Sequence, residues 1–425
     1  VGVISLFEEY LNLPFPNMVK IRQRFAATRL SDVNAEVTKQ FFRPEINQLI
    51  KPGNRIAILV GSRGITKIAE IVTATVREVK RLQATPFIVP AMGSHGGATA
   101  EGQIEVLTTL GVTEERIGAP ILSSLETVDL GRLDSGLPVY FDRNASGADG
   151  IIAIGRVKPH TAFRYQYESG LIKMIAIGGG KQRGADALHS RFSVDGFGSL
   201  LLNCYRHICV KLPVLMGVAI VENAYDQPAV IEAIPANLIE KREAELLNKA
   251  RELMPRIFFD CFDVLIVEQL GKNISGDGMD PNITGRYAVE LKGGPTYQRL
   301  AVLDLTPETH GNALGVGLAD VTTRRLVSKI DSMKGYMNAF TSKIVLGTVK
   351  VPMTLENDRE AIGVALKTCV LVEPGHHKVV RIKNTLELGE IEISETLLPD
   401  AKAIPTIEIL DTPMAMRFDS GGNLI

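Results

Sequence analysis

Short continuous apolar runs alternate with amphipathic stretches through the first half of the chain. After a polar, helix-like stretch from Asp32 to Leu49, the turn signal Lys51-Pro52-Gly53-Asn54 leads into Arg55-Ile-Ala-Ile-Leu-Val60. A run apolar at nearly every position predicts a strand buried on both faces. From Thr66 to Leu82, Ile68, Ile71, Val72, Val76 and Val79 recur at helical spacing, which predicts an amphipathic helix. Thr85–Pro90 reads as the next strand. The loop Ala91–Ala98 then feeds a helix that Thr99 caps and Gly111 ends. Pro120–Phe141 reads as short strands, and Gly150–Gly155 is another apolar strand, delivering Lys158-Pro159-His160. The apolar company of Lys173, from Leu171 to Ile177, is strand-like as well. A helix over Gly196–His207, a strand over Val214–Val221 and a charged helix over Pro235–Met254, broken by Pro255, complete this half. Strands alternating with helices across short loops predict a parallel sheet with flanking helices.

A fresh strand begins at Val264–Val267, which places a boundary near residue 257. The expectation is an N-terminal α/β domain over residues 1–256 and a C-terminal α/β domain over residues 257–425. The second domain continues with a glycine-rich loop, Gly271–Arg286, strand Leu300–Leu305, loop Thr309–Gly317, helix Asp320–Ser332 and a strand-like tail from Thr385.

Composition narrows the function classes. With 45% apolar and 22% charged residues, the 425-residue chain is an ordinary globular protein with ample volume for two cores. A net charge of -1 argues against nucleic acid or an anionic membrane as the main partner. No apolar run reaches the roughly 18 residues a membrane span needs, and no export signal is visible at the N-terminus. Four cysteines, Cys204, Cys209, Cys261 and Cys369, make no zinc motif and no disulfide framework. Free thiols in a cytoplasmic protein are the expectation.

Candidate chemistry gathers in strand-end loops, the edge at which open α/β sheets bind ligands. Those loops present Arg63, His95 and His160, and the stretch Gly155–His189 adds Lys158, Lys173, Lys181 and His189. Ser94, Gly96 and Gly97, before a helix start, suit a phosphate or carboxylate, and equally a tight turn between strand and helix. Arg63 offers a bidentate clamp for a carboxylate. Lys173, flanked by Leu171, Ile172, Met174 and Ile175, is in company that favours a neutral, nucleophilic amine, or alternatively snorkels to solvent. Gly178-Gly179-Gly180 reads as a turn. No GxGxxG follows a strand, and no GxxxxGK[ST], GxSxG or HExxH is present.

Taken in order, Gly93-Ser-His95, Val157-Lys-Pro-His160, Ser169-Gly-Leu-Ile-Lys173-Met-Ile-Ala-Ile-Gly178 and His189 resemble the lactate racemase family, isomerases that depend on a nickel-pincer nucleotide. The resemblance implies two α/β domains with an active-site cleft between them. It implies that Lys173 holds the cofactor through a thioamide, that His189 is the protein ligand to nickel, and that His95 and His160 are general bases on either side of a 2-hydroxy acid. Arg63 would orient the substrate carboxylate, while Ser94, Gly96 and Gly97 would line the nucleotide phosphate. A single histidine ligand suits nickel(II) in a square plane completed by the cofactor.

This chain departs from the lactate members between His160 and Lys173, where Arg164, Tyr165, Gln166, Tyr167 and Glu168 would suit a larger, hydroxylated acid such as a sugar acid. Lys272, with Asn273, Asn282 and Arg286, occupies the region of the second-domain substrate residues. Lys181 rivals Lys173 for cofactor attachment. The expected partner is a small 2-hydroxy acid, with a homo-oligomer left open. Competing readings are a metal-independent dehydrogenase or lyase, or a non-catalytic small-molecule binding protein, on the same scaffold.

Overall fold

The first strand, β1 (Asn17–Gln23), pairs antiparallel with strands hundreds of residues away. This computed structural model describes residues 14–62, 64–193, 196–343 and 345–425. Its chain divides into two compact units, Ala26–Met254, and Pro255–Ile425 joined by the segment up to Phe25. The sequence reading grouped that segment with the N-terminal domain; the pairing of β1 puts it with the C-terminal unit.

The unit Ala26–Met254 begins with α1 (Val33–Phe41), capped by Asp32, whose carboxylate accepts from the amides of Asn34 and Ala35. Then come β2 (Arg55–Val60), α2 (Ile68–Arg81), β3 (Thr85–Pro90) and α3 (Ala100–Thr109). A two-stranded ribbon, β4 (Thr127–Arg132) with β5 (Pro138–Asp142), precedes β6 (Gly150–Arg156). The rest is a helical stretch from Leu171 ending in α4 (Lys181–His189), then α5 (Phe197–Lys211), β7 (Val214–Glu222), β8 (Pro228–Pro235) and α6 (Ile239–Leu253). The sheet order is β3-β2-β6-β7-β8, parallel except for β8. Period-two alternation assigns its faces. Ile56, Ile58 and Val60 join Ile71, Val72, Val76 and Val79 of α2 in one core. Ala57 and Leu59 join Leu171, Ile172, Ile175, Leu201 and Leu247 in the other. Each such side chain contributes roughly 1.5–3 kcal/mol on full burial.

Two elements differ from the sequence reading. The run Leu171–Ile177 is helical: a turn over Leu171–Lys173 passes into a π-helix over Met174–Gly178. A short run that is apolar on all sides carries no period to separate a buried strand from a buried helix. The strand β8 was not expected, and the charged helix begins at Ile239, after that strand has turned back along β7.

In the other unit, β9 (Val264–Leu270), β10 (Arg299–Leu305), β11 (Val321–Thr323), β12 (Met353–Leu355) and, after α7 (Asp358–Lys367), β13 (Val379–Ile382) form a parallel set. The sheet continues antiparallel through β14 (Glu390–Ser394), β1 and β15 (Ile407–Ile409). The helix expected over Asp320–Ser332 is instead β11 followed by a short helix, Arg324–Ser328. All four cysteines are free thiols. Among the described residues, no helix is long and apolar enough to cross a membrane.

Candidate functional site

Sheet topology fixes where side chains can converge in the unit Ala26–Met254. The chain leaves β2 for β3 on one side and returns to β6 on the other. Such a switch of direction opens a crevice at the carboxyl ends of the strands. The loops there carry Ser62 after β2, Ser94 and His95 after β3, and Lys158 and His160 after β6. Arg63 lies outside the described residues.

His95 is exposed, and its ring is held from one side: Ser62 Oγ is hydrogen-bonded to Nδ1. Behind it, the buried amide of Gln103 donates to the carbonyls of Gly93 (3.0 Å) and His95 (3.3 Å). Gly96 and Gly97 both take positive φ, +67° and +64°, which glycine adopts without strain. The two differ in surroundings. A Cβ on Gly96 would lie 2.6 Å from the backbone of Gly102 in the first turn of α3, whereas Gly97 faces open space. The half-buried Ser94 lies between β3 and this turn. Thr99 caps α3 by accepting from the Gly102 amide (3.0 Å). The curl of backbone ahead of a ten-residue helix is the geometry in which amides meet an anion.

His160 is fixed through its backbone and its ring. Its amide donates to Glu168 Oε2 (2.7 Å), and its Nδ1 accepts from the Ala162 amide (3.0 Å). Its Nε2 faces Lys173 Nζ at 2.6 Å. Burial above all holds His160 well below the usual histidine range. The ring is therefore neutral at neutral pH. His189 ends α4 with its ring stacked on Phe197 (centroids 5.9 Å apart, planes at 15°), and Phe163 links Phe197 to His160. Lys173, His160 and His189 thus belong to one neighbourhood.

The polar side chains between His160 and Lys173 have work inside the fold. Glu168 is buried and binds Arg251 (2.6 Å) as well as the His160 amide. Arg164 donates to the carbonyls of His160 (2.6 Å) and Phe163 (3.1 Å). Tyr167 is buried, and Tyr165 packs where a Cβ on Gly198 would collide with its ring. Glu168 and Arg164 thus build the His160 loop, while Gln166 is exposed.

The two rival lysines differ in their partners. Lys181 is fully buried and donates to Pro90 O (2.6 Å) and Gln103 Oε1 (3.0 Å), with Asp142 Oδ2 at 3.3 Å. Two hydrogen bonds and one ion pair therefore hold its ammonium inside the fold. Within the glycine triplet, Gly179 and Gly180 form the turn into α4, as expected, while Gly178 still belongs to the helical stretch. Gly178 closes the π-helix, where its own Cβ would sit 2.5 Å from Ala91 O, and one on Gly179 would sit 2.4 Å from the Phe141 ring.

Sequence reasoning missed Glu243, which reaches from α6 to accept from the Ile172 amide (3.0 Å) at the start of the helical turn bearing Lys173. Burial pushes its carboxyl up to about 7. Gln103 and Glu243 are single polar residues on otherwise ordinary helices, and no local pattern marks them. Ser62 stands next to Arg63 in a strand-end loop, which was a usable signal. In the other unit, Lys272 lies in the loop after β9; its amide donates to Thr309 Oγ1 (3.0 Å) and its ammonium to the Gly276 carbonyl. Among the described residues, no three His, Cys, Asp or Glu side chains gather as a metal-binding group. A metal at His189 would take its other donors from a group it arrives with.

Residues 11–196 match the family model described as the lactate racemase N-terminal domain. Among solved structures, the lactate racemase apoprotein from Thermoanaerobacterium thermosaccharolyticum matches with a TM-score of 0.55. The alignment covers 87% of this chain and 99% of that one, at 13% sequence identity, and supports a common fold. No curated protein matches the chain.

Proposed function

We propose, from the match of residues 11–196 to the lactate racemase N-terminal domain, that the chain is an isomerase that racemises or epimerises a 2-hydroxy acid with a nickel-pincer nucleotide. The observation that carries this reading is the 2.6 Å approach of Lys173 Nζ to a neutral His160, in the neighbourhood of His189. The donor set fits the group: Lys173 would hold it covalently, His189 would ligate its nickel, and the amides around Ser94, Gly96 and Gly97 would meet its phosphate. When bound, it supplies the acceptor for the hydride on the substrate's Cα.

The protein's own residues do the rest. With Nδ1 of His160 accepting an amide hydrogen, the neutral ring presents its Nε2 proton to Lys173. A lysine that accepts this hydrogen is a free amine, the nucleophilic form. For His160 to take a hydroxyl proton at Nε2, the ring must then give up this contact and present its other tautomer. His95 differs, because a serine hydroxyl can accept from Nδ1 and leave Nε2 as the basic nitrogen. Arg63 would orient the substrate carboxylate.

After co-expression with cofactor-building enzymes, the holoprotein should carry about one nickel per chain and a mass increase on the Lys173 peptide. His95→Ala and His160→Ala should each lower racemisation at least a hundredfold in both directions. Undiminished racemisation in either variant would refute the two-base scheme, and an unmodified Lys173 peptide in active, nickel-loaded protein would refute covalent attachment.

A further inference from the structure

Lys181 is a fully buried cation that the proposed chemistry does not use, and its backbone sits at φ +55°, a conformation costly for a residue with a Cβ. Its ammonium collects acceptors from three separate pieces of chain: the Pro90 carbonyl at the end of β3, Gln103 on α3, and Asp142 at the end of β5. Gln103, itself fully buried, passes the connection on by donating to the carbonyls of Gly93 and His95. Asp142 closes the network from below, since its other oxygen accepts from the Ala145 amide (2.8 Å) and its own amide donates to Gly179 O (2.8 Å). Lys181 is also the first residue of α4, the helix that ends in His189.

We propose that Lys181 and Gln103 are positioning residues for His95, and that through them one buried ammonium fixes the His95 loop and the start of the His189 helix in a single frame. The inference rests on His95 and His189 being the functional histidines of the proposed isomerase. The network has the properties the task requires. Lys181, Gln103 and Asp142 are all buried, so water does not readily substitute for a lost partner among them, and hydrogen bonds to an ionised group are stronger than neutral ones. It also grips the loop by backbone carbonyls and not through the His95 ring.

The test uses the protein without cofactor. Gln103→Leu keeps the volume and removes both donors to the loop. Amide hydrogen exchange in a peptide spanning residues 91–99 should accelerate at least tenfold, with exchange in β2 and β9 unchanged. The His95 ring resonances should broaden or double. Lys181→Met strands the Asp142 carboxylate and should be strongly destabilised, so the double variant Asp142→Asn/Lys181→Met accompanies it, since removing both partners of a buried pair leaves no uncompensated charge. The double variant should regain stability while its 91–99 segment continues to exchange fast. Wild-type exchange and a single His95 signal in Gln103→Leu would overturn the proposal. So would a double variant in which stability and loop protection return together, because Lys181 would then serve only the fold. Neither readout depends on turnover, so a failure of the isomerase reading and a failure of this one are separable.

Discussion

Glu243 is buried, and among the described residues no cation contributes to its titration, so its protonation state should be visible in the stability of the whole unit. Burial raises its carboxyl from the ordinary 4.5 to about 7, against the opposing pull of the Ile172 and Leu171 amides. Between those two values the folded protein keeps a proton that the unfolded chain has released. The stabilisation is therefore fully present below about pH 4.5 and is lost as pH rises through about 7. A shift of roughly 2.5 units corresponds to about 3 kcal/mol at 1.36 kcal/mol per unit.

Glu243→Gln keeps the acceptor for the Ile172 amide and cannot ionise. Near pH 5, where Glu243 is protonated, variant and wild type should differ by less than about 1 kcal/mol. Near pH 8 the variant should be the more stable by up to about 3 kcal/mol. Urea unfolding followed by far-UV circular dichroism suits a chain with no tryptophan, and the difference between the two proteins cancels every other titrating group. A difference that stays constant from pH 5 to pH 8 would refute the reasoning. A variant that becomes progressively the less stable as pH rises would show that the helix-end amides, and not burial, govern this carboxylate.

Three further outcomes follow from the contacts around the site. Gly179→Ala would put a Cβ 2.4 Å from the Phe141 ring and 2.8 Å from Ile175 O, so thermal denaturation should show a loss of about 1–3 kcal/mol. Thr99→Ala removes the cap on α3 and should lower stability by about 1 kcal/mol, with faster amide exchange at Gly102. Glu168→Leu leaves the His160 amide without its acceptor and Arg251 without its carboxylate. It should cost about 3 kcal/mol in urea unfolding and speed exchange in the Lys158–Phe163 loop.

The strands and their edges were legible because burial on both faces writes itself as continuous apolar sequence. Arg55–Val60, Thr85–Pro90 and Gly150–Arg156 stand where their patterns put them, and the strand-end loops follow from their topology. That is how the pattern puts His95 and His160 in strand-end loops. Pairing between distant segments was not legible: nothing near Asn17–Gln23 announces partners beyond residue 389. Nor was the internal use of Arg164, Tyr167 and Glu168, since a polar side chain looks the same in sequence whether it faces a ligand or a buried amide.

The helical form of Leu171–Gly178 also explains glycines that pattern alone leaves unassigned. A Cβ at Gly61, beyond β2, would lie 2.6 Å from Met174 Cε, and one at Gly217, inside β7, would lie 2.4 Å from Leu171 Cδ1. On the helical side, Gly170 leaves room for Glu243 Oε1, which a Cβ there would meet at 2.4 Å, and Gly178 leaves room for Ala91 O. Glycine inside a strand often marks such a close approach of another segment. Here the approach presses one helical turn onto the strands and the strand-end loops, and that turn carries Lys173. A side chain at Gly217 would lift Leu171, and with it the 2.6 Å contact between Lys173 and His160 two residues further on. The distance between amine and imidazole is therefore set by backbone packing across the sheet, and Lys173 owes its place to glycines that touch neither the lysine nor the histidine.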